Sequence, residues 1–114
     1  MAQMLINTVN RAGIELSGSL GAASNGGDTW PNTGAEYVAL RNESGAPITV
    51  TFVFAAIIDG QTVANKTVVV AANDVAVLIG PFPVLHYNNA SGLASATYST
   101  HVNLKIGVFR NAIT

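Results

Sequence analysis

The chain contains no cysteine and few charged residues. Its 114 residues include five lysines and arginines and six aspartates and glutamates, so charged side chains make up 10% of the sequence, against about 25% in an average globular protein. Without cysteine there is no disulfide and no thiolate chemistry, so packing must stabilise the fold. The length suits one domain with a real core, and the scarcity of charge favours a surface partly covered by other subunits.

The sequence lacks the features that usually indicate a nucleic-acid or membrane partner. The formal net charge is −1, and the basic residues are scattered: Arg11, Arg41, Lys66, Lys105 and Arg110. Nucleic-acid-binding domains cluster their basic residues, so we expect no nucleic-acid partner. The longest apolar run, residues 52–58, is far shorter than the roughly 20 residues that span a bilayer. The first seven residues lack the basic and apolar regions of a signal peptide. We therefore expect no membrane partner, and synthesis in a cytoplasm without export by a cleaved signal.

The titratable residues give no catalytic or metal-binding pattern. Ser91, His86 and Asp74 are the residue types of a catalytic triad, but no Gly-x-Ser-x-Gly sequence is present to position the serine. The two histidines, His86 and His101, do not have the close spacing of metal ligands. The glycine pair before Asp28 lacks the lysine of a phosphate-binding loop. We expect no enzyme activity, no metal and no other cofactor.

Strand periodicity is clearest in residues 34–54. In the second half of this stretch, one set of side chains alternates with another: Ile48, Val50, Phe52 and Phe54 against Thr49, Thr51 and Val53. A period of two is typical of a strand with one face in a core. Residues 42–47 gather turn formers, including Gly45 and Pro47. The pattern predicts two strands joined as a hairpin that anchors the core.

The rest of the chain also indicates β structure. Further strands are predicted at residues 4–9, 14–16, 62–70, 75–79, 93–99 and 102–109. Turns are predicted at 59–60 and 71–74, and residues 80–83 and 86–92 are expected to interrupt the strands. Turn signals every 8–12 residues, without a helical period, predict an all-β domain: a single antiparallel β-sandwich or barrel-like domain over residues 1–114.

The N-terminal third has a different composition from the rest. Residues 17–34 are rich in Gly, Ser, Ala and Asn, which predicts a long ordered Gly/Ser-rich loop after short N-terminal strands. Trp30, near its end, is expected to bury its ring against the body of the domain. Residues 1–33 are thus expected to form N-terminal strands and a long loop, and residues 34–110 the core strands.

Three stretches of the sequence resemble sequence motifs of a known protein family. They are Gly-Gly-Asp-Thr-Trp-Pro-Asn-Thr-Gly (26–34), Val-Ala-Leu-Arg-Asn-Glu-Ser-Gly-Ala-Pro-Ile-Thr-Val-Thr (38–51) and Thr-Val-Val-Val-Ala-Ala-Asn-Asp-Val-Ala-Val-Leu-Ile-Gly-Pro-Phe-Pro (67–83). Together they resemble small head proteins of tailed bacteriophages, which carry Gly-Asp-x-Phe-x-Asn-x-Gly, Asn-x-Ser-Gly, a Val-x-Val-Pro-Ala-Gly turn, Gly-Pro-Phe-Pro and Tyr-Asn. The chain differs in having Trp30 where Phe is common and Ala-Ala-Asn-Asp at the Pro-Ala-Gly turn.

The resemblance implies a virion structural protein. It implies a capsid decoration (cement) protein on the outer face of the head, often a homotrimer, with the major capsid protein and other copies of itself as partners. The alternatives are another phage part (tail, connector or head-fibre base) and a carbohydrate- or receptor-binding module. The candidate interface residues are Met4, Leu5, Ile6, Trp30, Phe82, His86 and Tyr87. The aromatic residues Trp30, Tyr37, Phe82, Tyr87 and Tyr98 would line a sugar-binding face, but core packing and interface contacts are their more usual roles.

Overall fold

The computed structural model describes residues 2–74 and 77–111. In chain order the strands are Ala2–Gln3 (β1), Ile6–Val9 (β2), Gly21–Ala22 (β3), Asp28–Pro31 (β4), Glu36–Asn42 (β5), Ile48–Phe52 (β6), Ile57–Ile58 (β7), Gln61–Thr62 (β8), Lys66–Val70 (β9), Val77–Ile79 (β10), Leu93–Tyr98 (β11) and Leu104–Asn111 (β12). A 3-10 helix spans Ser17–Ser19, and a one-turn α-helix (α1) spans Val84–Tyr87. The prediction of an all-β domain is confirmed.

The strands form two sheets that enclose one core. Sheet 1 has the order β1-β4-β11-β6-β9, and sheet 2 has the order β10-β5-β12-β2, with β3 also pairing with β12. Between β4 and β12, every connection except that from β6 to β9 leads from one sheet to the other. The domain is therefore a β-sandwich of two packed sheets.

Both sheets are mixed, so the prediction of a purely antiparallel domain is wrong at the N-terminus. β1 pairs in parallel with β4, and β2 pairs in parallel with β12. Between β1 and β2 the chain crosses from sheet 1 to sheet 2 through Met4 and Leu5. β1 is an edge strand of sheet 1, and β2 is an edge strand of sheet 2. Parallel pairing needs a long connection between the paired strands, which the chain between β2 and β12 supplies and which periodicity does not reveal.

The single long loop expected at residues 17–34 does not occur as such. This stretch contains the 3-10 helix, β3 and β4, and no strand forms at residues 14–16. β4 pairs along its whole length with β11, with Trp30 opposite Ala94. The composition of the segment predicted a loop, but a pairing partner more than sixty residues away makes part of it a strand, since tertiary contacts override local propensity.

The two strands predicted within residues 34–54 are confirmed as β5 and β6, but the hairpin is wrong. β5 pairs with β10 and β12 in sheet 2, whereas β6 pairs with β9 and β11 in sheet 1. Residues 43–47 therefore cross from one sheet to the other. The inward face of β6 is as predicted, since Ile48, Val50 and Phe52 are fully buried.

The buried Asn42 amide holds this crossing. Its Nδ2 donates to the carbonyls of Ala46, Val70 and Ala71 at 2.8, 3.1 and 3.2 Å, and its Oδ1 accepts from the N–H and hydroxyl of Ser44 at 2.9 and 2.7 Å. Asn42 thus ties the end of β5 to the start of β6 and the end of β9. A hairpin would have paired these backbone groups with each other; here one amide satisfies them.

The remaining expectations are largely met. β7 and β8 join at Asp59-Gly60, where both residues have positive φ (52° and 73°), as the tight hairpin turn requires. β11 and β12 confirm the last two predicted strands, β9 is shorter than predicted, and β10 covers the described part of the predicted 75–79 strand. Val75 and Ala76, part of the predicted 75–79 strand, lie outside the described residues. The predicted 86–92 loop begins inside α1.

The core has an aromatic centre. Trp30 packs edge-on against Phe52 and Phe82, with ring centroids 6.3 and 5.6 Å apart, and the centroids of Phe52 and Phe82 lie 4.8 Å apart. Aliphatic side chains from both sheets complete it, among them Val38, Leu40, Ile48, Val50, Val70, Leu104 and Val108. The docking of Trp30 onto the domain is therefore confirmed.

A buried carboxylate lies at the end of the sandwich where β5 begins. Glu36 is fully buried and accepts hydrogen bonds from the N–H of Thr33 (2.6 Å), from its hydroxyl (2.8 Å) and from Nε of Arg110. Burial alone would raise the pKa of the Glu36 carboxyl, but the bonds from Thr33 and the bond and charge of Arg110 together hold that pKa below its ordinary value. Glu36 therefore stays ionised in the folded protein.

A second acid pairs with a tyrosine. The hydroxyl of Tyr98 donates to Oδ2 of the buried Asp28 at 2.6 Å, and the N–H of Ser24 donates to the same oxygen at 3.1 Å. Burial, followed by the bond to the Asp28 carboxylate, raises the pKa of Tyr98 above its ordinary value. Tyr98 thus remains a protonated donor that joins β11 to the start of β4.

Replacing Asn42 with alanine should destabilise the domain strongly. The change removes the side-chain donor to the buried Val70 carbonyl and the acceptor of the Ser44 N–H, at roughly 1–3 kcal/mol for each buried group left unsatisfied. We expect a loss on the order of 3 kcal/mol in the free energy of unfolding, measured by urea denaturation. Asn65→Ala is the matched control, because its single exposed bond to the N–H of Phe54 should contribute about 1 kcal/mol or less. Equal losses for the two variants would contradict the role given to Asn42.

Glu36→Gln should destabilise the domain in a pH-dependent way. A carboxyl with a lowered folded-state pKa contributes stability above its unfolded pKa of about 4.3, and this contribution is lost as the pH falls through the folded-state value. The free-energy gap between wild type and Glu36→Gln should be roughly 1.5–3 kcal/mol near neutrality and shrink as the pH falls from about 5 towards 3. Glu43→Gln is the control, since the Arg41–Glu43 pair is about 40% exposed on both sides. A gap that does not change with pH would refute the assignment.

Candidate interaction surface

The seven predicted interface residues divide into two groups. Trp30, Phe82, His86 and Tyr87 come together at the end of the sandwich where β5 begins, through ring contacts and the loop that contains α1. Met4, Leu5 and Ile6 lie at the edge where the chain passes from β1 to β2. Their role as an interface stays a prediction, but the structure decides which of them are accessible.

The loop at this end begins at a glycine that no other residue replaces easily. Gly80 has φ +140°, and an added Cβ would lie 2.9 Å from the carbonyl oxygen of Glu36 and 3.2 Å from Cα of Tyr37. Only glycine allows this close approach of two backbones. Pro81 and Pro83 then prevent the strand from continuing, and one helical turn, α1, follows directly after Pro83.

Two asparagine amides fix this loop to the end of β4. Nδ2 of Asn32 donates to Oδ1 of Asn88 (2.7 Å) and to the carbonyl of Phe82 (2.9 Å). In return, Nδ2 of Asn88 donates to the carbonyls of Asn32 (2.8 Å) and Gly92 (3.2 Å). This reciprocal pair holds α1 in place on the body of the domain.

Aromatic rings run from the core to the surface at this end. Phe82 contacts Tyr87 edge-on at 5.3 Å, Tyr87 contacts Phe54 at 5.4 Å, and Phe54 stacks on His86 at 5.2 Å. Trp30 and Phe82 are 0% and 4% exposed, so neither presents its ring to a partner or a sugar in this conformation. Tyr87 and His86 are half-buried and are the members of this group that reach the surface.

Exposed aliphatic side chains surround the outer end of this aromatic series. Leu85 is 81% exposed and Val84 44%, both on α1. The N–H groups of Ala55 and Ala56 both donate to the carbonyl of His86, which brings the next residue, Ile57, 68% exposed, beside α1. We call Ile57, Val84, Leu85, His86 and Tyr87 the apolar end. Only its two aromatic members were predicted from the sequence, because exposure of Leu85 depends on the one-turn helix.

The N-terminal residues form part of the sheets. The N–H of Met4 donates to the carbonyl of Thr29 at 2.7 Å, and Ile6 pairs with Val108. The described residues 2–9 therefore contribute an edge strand to each of the two sheets. Leu5, at the crossing between the two sheets, is 88% exposed.

An apolar groove that the sequence did not indicate lies on the outer face of sheet 2. It has a volume of about 740 Å³, and its lining includes Leu16, Tyr37, Leu78 and Phe109. The chain before β3 crosses this face close to β12, where Gly107 leaves room for Leu20: an added Cβ would lie 2.8 Å from the Leu20 side chain. The groove has no charged member except Arg110, whose guanidinium is bonded to Glu36.

The residues considered for catalysis are not brought together. Asp74 lies beside Asn42, whose N–H donates to its carbonyl, whereas His86 accepts from Ala55 beyond the far end of β6. Asp74 and His86 are thus at opposite ends of the sandwich and form no triad with Ser91. Within residues 2–74 and 77–111, no three His, Asp or Glu side chains are grouped to hold a metal, and no described helix has the length and hydrophobicity to cross a membrane.

What the geometry offers is surface for contact between proteins. The described residues present an apolar end, an exposed leucine at one edge and an apolar groove on one face. No protein-family model matches this sequence, and neither the curated proteins nor the solved structures contain a significant match to it.

Proposed function

We propose that this protein is a virion structural component: a capsid decoration protein that binds the outer surface of a tailed-phage head and stabilises the shell, as a homotrimer. Its partners in this proposal are the major capsid protein and its own copies. It acts by surface contact and carries out no reaction.

The observation that carries the proposal is apolar exposure on a domain with little charge. Nine large apolar side chains among the described residues are 36–88% exposed, while the whole chain has only five basic and six acidic residues. Isolated soluble domains usually surround exposed apolar groups with charge, and concentrated apolar exposure marks contact sites. A subunit whose surface is covered in an assembly has no need of that charge.

The sequence motifs shared with phage head proteins support the proposal through the fold. Asn42, from Asn-x-Ser-Gly, holds the crossing between the sheets, and Phe82, from Gly-Pro-Phe-Pro, packs on Trp30 in the core. Asn32 and Asn88, from two separate motifs, bond to each other. These residues build the sandwich and its apolar end, so the resemblance concerns the positions that determine this architecture.

The mechanism would be mechanical. A sandwich with a closely packed aromatic core and hydrogen-bonded loops resists deformation and can transmit force between the subunits it contacts. A trimer that contacts the shell at several equivalent sites gains avidity from each additional contact. Copies that bridge neighbouring capsid subunits would then resist their separation.

The alternatives differ in what they require of the surface. Sandwich folds host many unrelated functions, so the fold alone does not choose between these alternatives. Sugar binding needs an exposed ring for stacking: of the five candidate rings, Trp30 and Phe82 are buried, whereas those of Tyr37, Tyr87 and Tyr98 are half-buried. A tail, connector or fibre-base role needs the same kind of surface as a decoration role, and the location on the particle separates these possibilities.

Purified protein should bind heads of the phage that encodes it, and Leu85→Asp should weaken this binding at least tenfold. Leu85 is 81% exposed, so the change places a charge in the apolar end without altering the core. Co-sedimentation with heads stripped of the protein measures the affinity, and thermal melting checks the fold.

Val102→Asp is the matched control for this prediction. Val102 is 56% exposed and precedes β12 at the opposite end of the sandwich, so binding should be retained. Failure of the wild-type protein to bind heads would contradict the capsid role, and equal binding by Leu85→Asp would remove the apolar end from the contact.

A further inference from the structure

We propose that the free edge of β9 pairs with β9 of a second copy, antiparallel and about a two-fold axis at Val68, so that sheet 1 continues from one copy into the next. This contact is additional to the trimer proposed above and does not depend on the capsid role. It arises from β9, the longest edge strand among the described residues.

The four edges of the two sheets are not equally protected. β1, β2 and β10 are edge strands of two, four and three residues, and β10 is followed directly by Gly80-Pro81. Short edge strands and prolines are devices that prevent strands from pairing between molecules. β9 has five residues, Lys-Thr-Val-Val-Val, without proline or glycine.

The outer edge of β9 is unoccupied along most of its length. Residues 66–70 pair with β6 on one side, and within the described chain no other hydrogen bond joins residues 66–69 to a further segment. Alternate residues of an edge strand direct their N–H and C=O groups outward, where only another extended strand satisfies them in sequence. The chemistry of this edge therefore specifies a strand as its partner.

The side chains beside this edge do not oppose an approaching copy. The solvent face of sheet 1 next to β9 consists of uncharged residues: Thr49, Thr51, Thr67, Val69 and Thr97. Val69 is 65% exposed, and pairing would bury part of its side chain. β-branched residues opposite each other are favourable cross-strand pairs.

The position of the single charge in β9 selects the orientation. In an antiparallel pair centred on Val68, Thr67 lies opposite Val69 of the partner subunit, and the two Lys66 residues are about 14 Å apart along the strands. A parallel pair would bring the two ammonium groups together, which is unfavourable. The antiparallel pair also brings Lys66 towards the end of the other β9, where the 71–74 turn carries Asp74.

Two variants on different edges test the contact. Val69→Lys adds a charge within the paired strand, while Leu78→Lys adds the same charge on β10, the other open edge on this side, at a position that is 64% exposed. Sedimentation velocity over a concentration series should show the mass of the wild type doubling relative to its unit at low concentration, which is the trimer if the proposed function holds and the monomer if it does not. Val69→Lys should weaken this association at least tenfold, and Leu78→Lys should leave it within about twofold, equivalent to about 0.4 kcal/mol.

Hydrogen exchange on the unmodified protein gives a second, independent readout. Amides within residues 66–70 should exchange more slowly as the protein concentration rises, and those of β10 should not change. Absence of mass doubling up to about millimolar concentration would overturn the proposal. So would equal weakening by the two variants, or concentration-dependent protection on β10 instead of β9.

Discussion

The architecture depends on one crossing of the chain from sheet to sheet. Between β5 and β6, five residues carry the backbone across the sandwich, and the buried Asn42 amide bonds to backbone groups of this crossing. The amide contacts two separate segments: it accepts from Ser44 and donates to Ala46 within the crossing, and it donates to Val70 at the end of β9. Because the same amide also reaches the end of β9, it sets the position of both strands of sheet 1 that follow the crossing. The placement of β5 and β6 in different sheets follows from this crossing.

At the other end of the sandwich, a pair of asparagine amides holds two connections together in a similar way. Asn32 and Asn88 join the β4–β5 connection to the loop that contains α1. Both ends of the sandwich are thus held by asparagine amides rather than by disulfides, which a chain without cysteine cannot form. This explains how a domain with little charge and no cysteine holds long connections in place. It also leaves its apolar side chains free to face outward at defined positions.

The local elements were predictable from the sequence because they depend on near neighbours. The alternation from Ile48 to Phe52 identified β6 and its buried face, and Asp59-Gly60 identified a tight turn. The pairing of strands was not predictable, since residues 42–47 contain turn formers whether the chain folds back in one sheet or crosses to the other. The tertiary contacts of Asn42 determine whether the chain crosses between the sheets, and the periodicity of the sequence does not reveal those contacts.

The candidate interface was also predictable only in part. Aromatic residues were sound choices for packing, but the sequence could not separate Trp30 and Phe82, which are in the core, from Tyr87, which reaches the surface. The exposure of Leu85 depends on a single helical turn, and that of Leu78 on its place in an edge strand. Both are consequences of tertiary position. No local pattern around either residue distinguishes an exposed leucine from a buried one.

The central claim is that this protein works as a building unit on the outside of a viral shell. A cryo-EM reconstruction of the particle tests it most directly. The account predicts density on the outer surface of the head that fits a sandwich of 42 × 40 × 19 Å, in threefold groups, with the apolar end covered by a neighbouring subunit. Density in the tail alone, or no density on the particle, would contradict it.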